Sequence, residues 1–213
     1  MKHIDHTYYI NLDKREDRNK HTLKTVIPFF KLEEGDYTRF SAVDTSSETT
    51  QSLRSIGCAQ SHLNIYQDAK EKGYRHILIL EDDFVPVIEQ DLFFENLDYL
   101  FNKIPYFNIC QIAYNDVKRA IPYGEPNSPV LFSPNVQTTS AYIANVSFLD
   151  VIKNTISDSI NKLKQGHPST IHAIDQCWKK FQSLDYQWFL LQRAGVQADD
   201  YSDIEAQHVQ YNC

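Results

Sequence analysis

Apolar residues along the chain fall into short runs separated by polar stretches, and the runs predict strands alternating with helices. Thr7-Tyr8-Tyr9-Ile10-Asn11-Leu12 is short, aromatic and β-branched, as a buried strand is. Asp13 follows in an N-cap position before a charged helix that starts near Lys14. Residues 37–43 read as a second strand. Residues 51–72 are helical, with Leu63, Tyr66 and Ala69 on one face and Gly73 placed to end the helix. His76-Ile77-Leu78-Ile79-Leu80 is the most strand-like run and stops at Glu81-Asp82-Asp83. A helix over 90–103 and a strand over 107–114 follow. Residues 120–134 hold four of the eight prolines and read as a loop, either an acceptor lid or plain surface. A strand over 136–144, a helix over 147–163, a break at Gly166-His167-Pro168, a helix over 170–183 and a last strand over 186–192 complete the pattern. The tail from Gln197 is polar and reads as irregular.

This alternation predicts an α/β fold with a central, mostly parallel sheet flanked by helices. In such sheets ligands sit beyond the carboxyl ends of the strands, so the loops there are where chemistry is expected. The 213 residues suit a single domain, and 42% hydrophobic residues suffice for a core, which excludes general disorder. The 21 Lys and Arg against 28 Asp and Glu give a net charge of −7, with no basic block, which argues against nucleic acid as partner. A nucleotide would then need a metal to mediate. No apolar stretch approaches the roughly 18–20 residues of a membrane span, and Met1-Lys2-His3-Ile4-Asp5 lacks a signal peptide's apolar region. The expectation is a cytoplasmic protein, soluble or peripherally membrane-associated, with possible homodimerisation. Cys58, Cys110, Cys177 and Cys213 form no CxxC pair, so reduced thiols are expected.

Glu81-Asp82-Asp83 is the most informative feature. Three adjacent carboxylates at the end of an apolar strand repel one another and lose solvation, and no Lys or Arg occurs over 77–102 to offset this. A hard divalent cation, Mg²⁺ or Mn²⁺, would. If the extended geometry persists, Glu81 and Asp83 face one way and Asp82 the other, toward a ribose or water. The plainer reading is a solvated acidic turn before the next helix.

Together with other blocks, the cluster resembles glycosyltransferase family 25, which includes bacterial lipooligosaccharide galactosyltransferases and procollagen galactosyltransferases. The blocks are Ile10-Asn11-Leu12 with Arg15 and Asp17-Arg18, then Ala42-Val43-Asp44, then Gly57-Cys58 with Ser61-His62, then the acidic triplet, and finally Tyr201-Ser202-Asp203-Ile204. They cover the first 83 residues well and the tail modestly, while residues 86–198 match only in rhythm.

The resemblance implies a single GT-A-type nucleotide-sugar-binding domain, with residues 1–85 as the donor half and 86–213 as the acceptor half and C-terminal tail. It implies an inverting, metal-dependent hexosyltransferase that moves galactose or glucose from a UDP-sugar to a hydroxyl on a glycan, glycolipid or hydroxylysine. Mn²⁺ or Mg²⁺ would be held first by Asp83, assisted by Asp82 or Glu81, with His208 as a late ligand. Asp44 is matched to the base or ribose. Asn11 and Ser61 belong to matched blocks expected at the donor. Arg15 and Arg18 read as diphosphate contacts or as a solvated face with local ion pairs. Gly57 permits close backbone approach, and His62 holds the donor or only packs its helix. An inverting transfer needs a base. Asp175 and Asp116 are the candidates, Asp175 first, with Trp178 as a sugar platform or as core. Two other classes compete: a metal-dependent phosphohydrolase, for which Asp13 would be the poorly placed nucleophile, and a silent sugar-nucleotide-binding or scaffold module.

Overall fold

The computed structural model describes residues 1–115 and 120–210. In chain order the elements are β1 (His6–Asn11), α1 (Glu16–His21), a π-helical turn (Thr22–Val26), α2 (Ile27–Phe29), β2 (Tyr37–Ser41), α3 (Gln51–Glu71), β3 (His76–Glu81) and β4 (Phe84–Pro86). Then come α4 (Gln90–Lys103), β5 (Ile109–Ala113), β6 (Ile121–Pro122), β7 (Val130–Phe132), β8 (Ala141–Asn145), α5 (Leu149–Lys164), α6 (Ser169–His172), α7 (Ile174–Cys177) and β9 (Trp188–Gln197). A hairpin of β10 (Asp200–Ser202) and β11 (Gln207–Val209) follows.

The main sheet runs β2-β1-β3-β8-β5-β9-β7-β6, with β4 also paired to β9. β1, β2, β3, β5, β6 and β9 share one direction, and β4, β7 and β8 oppose it. The sheet is therefore mixed but mostly parallel in strand direction, with β8 inserted antiparallel between β3 and β5. β3 shows how it is covered. Ile77 and Ile79 pack with Ile65, Tyr66 and Ala69 of α3 and Ile152 and Ile156 of α5. Leu78 and Leu80 pack on the other face with Phe93, Leu97 and Leu100 of α4 and with Phe29 and Phe30. Period-two apolar residues thus serve two helical layers, which is why this strand reads as a continuous apolar run. Among the described residues no helix is long and apolar enough to cross a membrane.

Several expected elements differ. Asp13 does not cap α1; Arg15 occupies that position, and Asp13 accepts from Arg39 at 2.7 Å and Ser41 at 2.9 Å. The 120–134 segment contributes β6 and β7 at the sheet edge rather than a plain loop. The helix expected over 170–183 breaks at Ala173, which is extended (φ −60°, ψ 155°), so that Ile174 and Trp178 both turn inward. The strand expected over 136–144 begins only at Ala141, because Thr138 stands at a left-handed φ of 76°. The last strand runs on to Gln197, since β4 pairs with its final residues, and the tail forms a hairpin where irregular chain was expected. Gly73 does end α3, at φ 74°.

Helix α3 docks against the loop leaving β2 through Gly57, where a Cβ would overlap the Val43 carbonyl oxygen and Thr45 Oγ1. Ser61, fully buried one turn on, accepts from the Val43 N–H at 2.9 Å and donates to the Gly57 carbonyl at 2.7 Å. We expect Gly57→Ala to lower stability by roughly 1–3 kcal/mol through overpacking. Urea unfolding would show a lower midpoint at unchanged slope; an unchanged midpoint would mean the loop gives way without penalty.

Candidate active site

The chain turns directly after β3, and the three carboxylates leave in different directions. Glu81 points toward α3. Its Oε1 accepts from Thr139 Oγ1 at 2.5 Å and lies 3.0 Å from His62 Nε2 and 3.8 Å from Cys58 Sγ. Asp82 accepts from Asn11 Nδ2 at 2.6 Å and from Arg18 Nη1 at 3.1 Å. Asp83 accepts from Gln197 Nε2 at 2.9 Å and from Ser140 Oγ at 3.3 Å, with Arg18 Nη1 3.6 Å away. The expected alternation is lost at the turn: Asp82 and Asp83 share one guanidinium, and Glu81 stands apart. The offsetting cation, absent from the local sequence, arrives from α1.

Burial pushes the Asp83 carboxyl up to about 7, with the charges of Glu81 and Asp82 adding to the effect. Burial also raises Asp82, opposed by Arg18 and Asn11. Burial acts upward on Glu81 too, but the donors His62, Thr139 and Cys58 outweigh it and hold the carboxyl below its ordinary range. An ionised Glu81 only accepts, so His62 Nε2 carries a proton toward it, while Nδ1 meets the Tyr142 hydroxyl at 2.8 Å. His62 is fully buried and acts as a strut behind Glu81.

The remaining donor-side residues divide into ligand-facing and supporting groups. Asn11, only 1% exposed, accepts from Arg39 through its Oδ1 while its amide donates to Asp82, so it orients the carboxylate. Asp44 is exposed at a cavity of about 130 Å³, with Lys14 3.5 Å away. Gly57 and Ser61 also border this cavity, where they dock the loop that carries Asp44. Arg15 keeps a local ion pair with Asp17 at 2.9 Å, and Arg18 borders the first cavity. Arg15 donates to Asp200 at 2.7 Å and Asp203 at 3.0 Å, and Arg18 donates to the Tyr201 carbonyl at 2.9 Å and Asp200 at 3.3 Å. The terminal hairpin holds both.

A second cavity of about 300 Å³ adjoins the first, and the two share Cys58, Glu81, Gln197, Ser202 and Ile204. Gln197, Ser202, Asp203 and Ile204 also line the first cavity, so residues from both ends of the sequence border it. Asp175 lines the second cavity. Its Oδ2 accepts from Gln176 at 3.1 Å and faces the Thr138 N–H at 3.5 Å, while Oδ1 makes no hydrogen bond among the described residues. Burial raises this carboxyl above its ordinary range, which suits a group that takes up a proton. Asp116, the other base candidate, lies outside the described residues. Trp178 is core and no sugar platform: it is fully buried, edge-on to Tyr142 and Trp188. His208 is exposed on β11 against Tyr201 and lines neither cavity, so the structure does not bring it to the acidic cluster.

Two ligand sets follow. Asp82 and Asp83 offer hard oxygen donors with one shared guanidinium as counter-charge, a fit for a hard divalent cation. Among the described residues the one compact group of three ligand-type atoms is Cys58, His62 and Glu81, within 4.8 Å of one another. Thr138, Thr139, Gln197, Asp200 and Asp203 complete the site without having been marked as site residues. Only Asp203 carried a signal, as part of the closing block.

The raised Asp83 carboxyl has a stability consequence. Its ordinary value is 3.8, so the folded state keeps the proton that the unfolded chain gives up between about pH 4 and 7. Its contribution to stability is present below pH 4 and lost as pH rises to about 7. In EDTA, Asp83→Asn, neutral throughout, should gain on the wild type by on the order of 2 kcal/mol between pH 5 and 8. Thermal melts across that range check this; a pH-independent difference would contradict it.

No curated protein matches this sequence significantly. The chain is similar in structure to a glycosyltransferase involved in glycosylation of the major capsid of PBCV-1, at TM-score 0.53 and 10% identity, covering 94% of this chain and 95% of that one. That likeness shows the fold, of GT-A type. A cytidylyltransferase from Leptospira borgpetersenii superposes at TM-score 0.46 and 10% identity, covering 93% of this chain and 82% of that one. The family model described as glycosyltransferase family 25 (LPS biosynthesis protein) matches residues 4–171. That match spans the divided acidic cluster and the loop that carries Asp44, and the chain belongs to glycosyltransferase family 25.

Proposed function

We propose that this glycosyltransferase moves a hexose, galactose or glucose, from a UDP-sugar to an acceptor hydroxyl on a glycan, glycolipid or hydroxylysine, with inversion. The observation that carries the reading is the pair of adjoining cavities, one bordered by Asp82 and Asp83 and the other by Asp175, with Glu81 between them. Asp44, on the loop docked by Gly57 and Ser61, receives the ribose or base. Asp83, with Asp82 beside it, would hold a divalent cation, Mn²⁺ or Mg²⁺, which would supply positive charge to the leaving diphosphate. Asp175 takes the proton from the acceptor hydroxyl as its oxygen bonds to the anomeric carbon. The bond from that carbon to the diphosphate oxygen breaks, and the diphosphate carries away the electron pair. The raised Asp175 carboxyl makes the proton transfer less uphill than an exposed aspartate would. The silent-module alternative is disfavoured by the intact Asp82–Asp83–Arg18 group. The phosphohydrolase alternative is disfavoured because Asp13 is engaged by Arg39 and Ser41 and lines neither cavity.

Incubation with a panel of nucleotide sugars, with Mn²⁺ or with EDTA, tests this. The expected result is metal-dependent release of UDP from one UDP-hexose, reduced roughly 10²-fold or more in Asp83→Ala. Asp175→Asn should cut transfer to an acceptor by about 10²–10⁴-fold while UDP binding persists. Absence of release from every donor, with no UDP–Mn²⁺ binding by calorimetry, would overturn the reading.

A further inference from the structure

Thr138 lines the second cavity beside Gln197, which borders both, in a conformation its side chain opposes. Its φ of 76° is in the left-handed region, which β-branched residues rarely enter and which persists only where surroundings enforce it. The enforcement is visible. The Thr138 carbonyl accepts from Gln111 Nε2 at 2.9 Å, and Gln111 Oε1 in turn accepts from Trp188 Nε1 at 3.0 Å. Gln111 and Trp188 are both buried in the sheet, so the strained residue is tied to the buried sheet.

From that anchor Thr138 reaches both sides of the site. Its N–H faces Asp175 Oδ2 at 3.5 Å on the acceptor side. Its Oγ1 accepts the Ser140 N–H at 3.1 Å, so the hydroxyl proton is left for Gln197 Oε1 at 3.2 Å. Gln197 then presents its amino end to Asp83 Oδ2 at 2.9 Å. A carboxamide has a donor end and an acceptor end of nearly equal size. The Thr138 hydroxyl works with Asp83 to distinguish them: its proton holds the Gln197 carbonyl while the carboxylate takes the amino end.

We propose that Thr138 is a positioning residue for transfer: its strained backbone and its hydroxyl together hold the Gln197 amide on Asp83 and the Asp175 carboxylate at a fixed separation from it. The inference rests on the function proposed above, in which Asp83 serves the donor and Asp175 the acceptor. A purely structural residue would behave differently. Glycine at 138 relieves the backbone strain and removes the hydroxyl at once, so stability and catalysis should part company. Serine keeps the hydroxyl.

The test compares Thr138→Gly, Thr138→Ser, Gln197→Leu and the Thr138→Gly/Gln197→Leu double variant with the wild type. Thr138→Gly should melt at or above the wild-type temperature, with kcat for transfer lowered about 10- to 100-fold and donor KM changed less than about twofold. Thr138→Ser should keep kcat within about threefold, and the double variant should be no slower than the slower single one, because both act on one relay. The proposal is overturned if Thr138→Gly retains wild-type kcat, if it loses activity only in step with stability, if serine fails to rescue, or if the two defects multiply. A wild type silent with every donor overturns the function reading and this inference with it; a wild type that turns over while Thr138→Gly is unimpaired overturns this inference alone.

Discussion

Ending an apolar strand in three carboxylates sets the terms for everything around it. β3 is buried on both faces, so its carboxyl end opens into low-dielectric surroundings where three like charges cannot be left together. The fold separates them at a turn and gives each its own neighbours. Glu81 is met by hydrogen-bond donors from α3 and the segment before β8, and stays ionised. Asp82 is met by Asn11 and Arg18. Asp83 is least compensated and holds its proton toward neutral pH. That graded compensation gives one short acidic stretch carboxyls of opposite proton affinity, Glu81 lowered and Asp83 raised.

The partners come from distant parts of the chain because no nearby segment can supply them. Arg18 enters from the helix after β1, whose parallel pairing with β3 brings the two strand ends together. Gln197 arrives at the end of β9, carried there by the pairing of its last residues with β4. The antiparallel insertion of β8 brings Thr139 and Ser140 alongside the same strand end. Sheet order, more than loop design, assembles the site.

This explains what could be read in advance. β3, α3 and the acidic triplet were legible because burial period, helix spacing and charge are local properties of the chain. The α/β class with a mostly parallel sheet was legible from alternation, and its GT-A type came with the family resemblance. The direction of β8 was not, since a short apolar strand carries no mark of its orientation. The division of Glu81 from its neighbours was hidden because it depends on a turn that the sequence does not announce with Gly or Pro. Trp178 and His208 were ambiguous for the same reason: a tryptophan fits a core as well as a sugar, and a histidine near a matched block has no fixed direction. Asp200 escaped notice because its partners, Arg15 and Arg18, lie at the opposite end of the sequence.

The arginine contacts also set an order of events. Arg15 and Asp200 are 185 residues apart in sequence, and Arg18 and Tyr201 are 183 apart. On a growing chain both guanidinium groups are made more than 180 residues before these partners and wait for them while the strands between are synthesised. Asp82 and Asp83 can collect Arg18 as soon as β1 and β3 pair, but the hairpin that fastens over the arginines follows every strand of the main sheet in the chain. The sheet can therefore gain most of its core while the cleft stays open, and the cleft is finished by a hairpin made after the strands it serves.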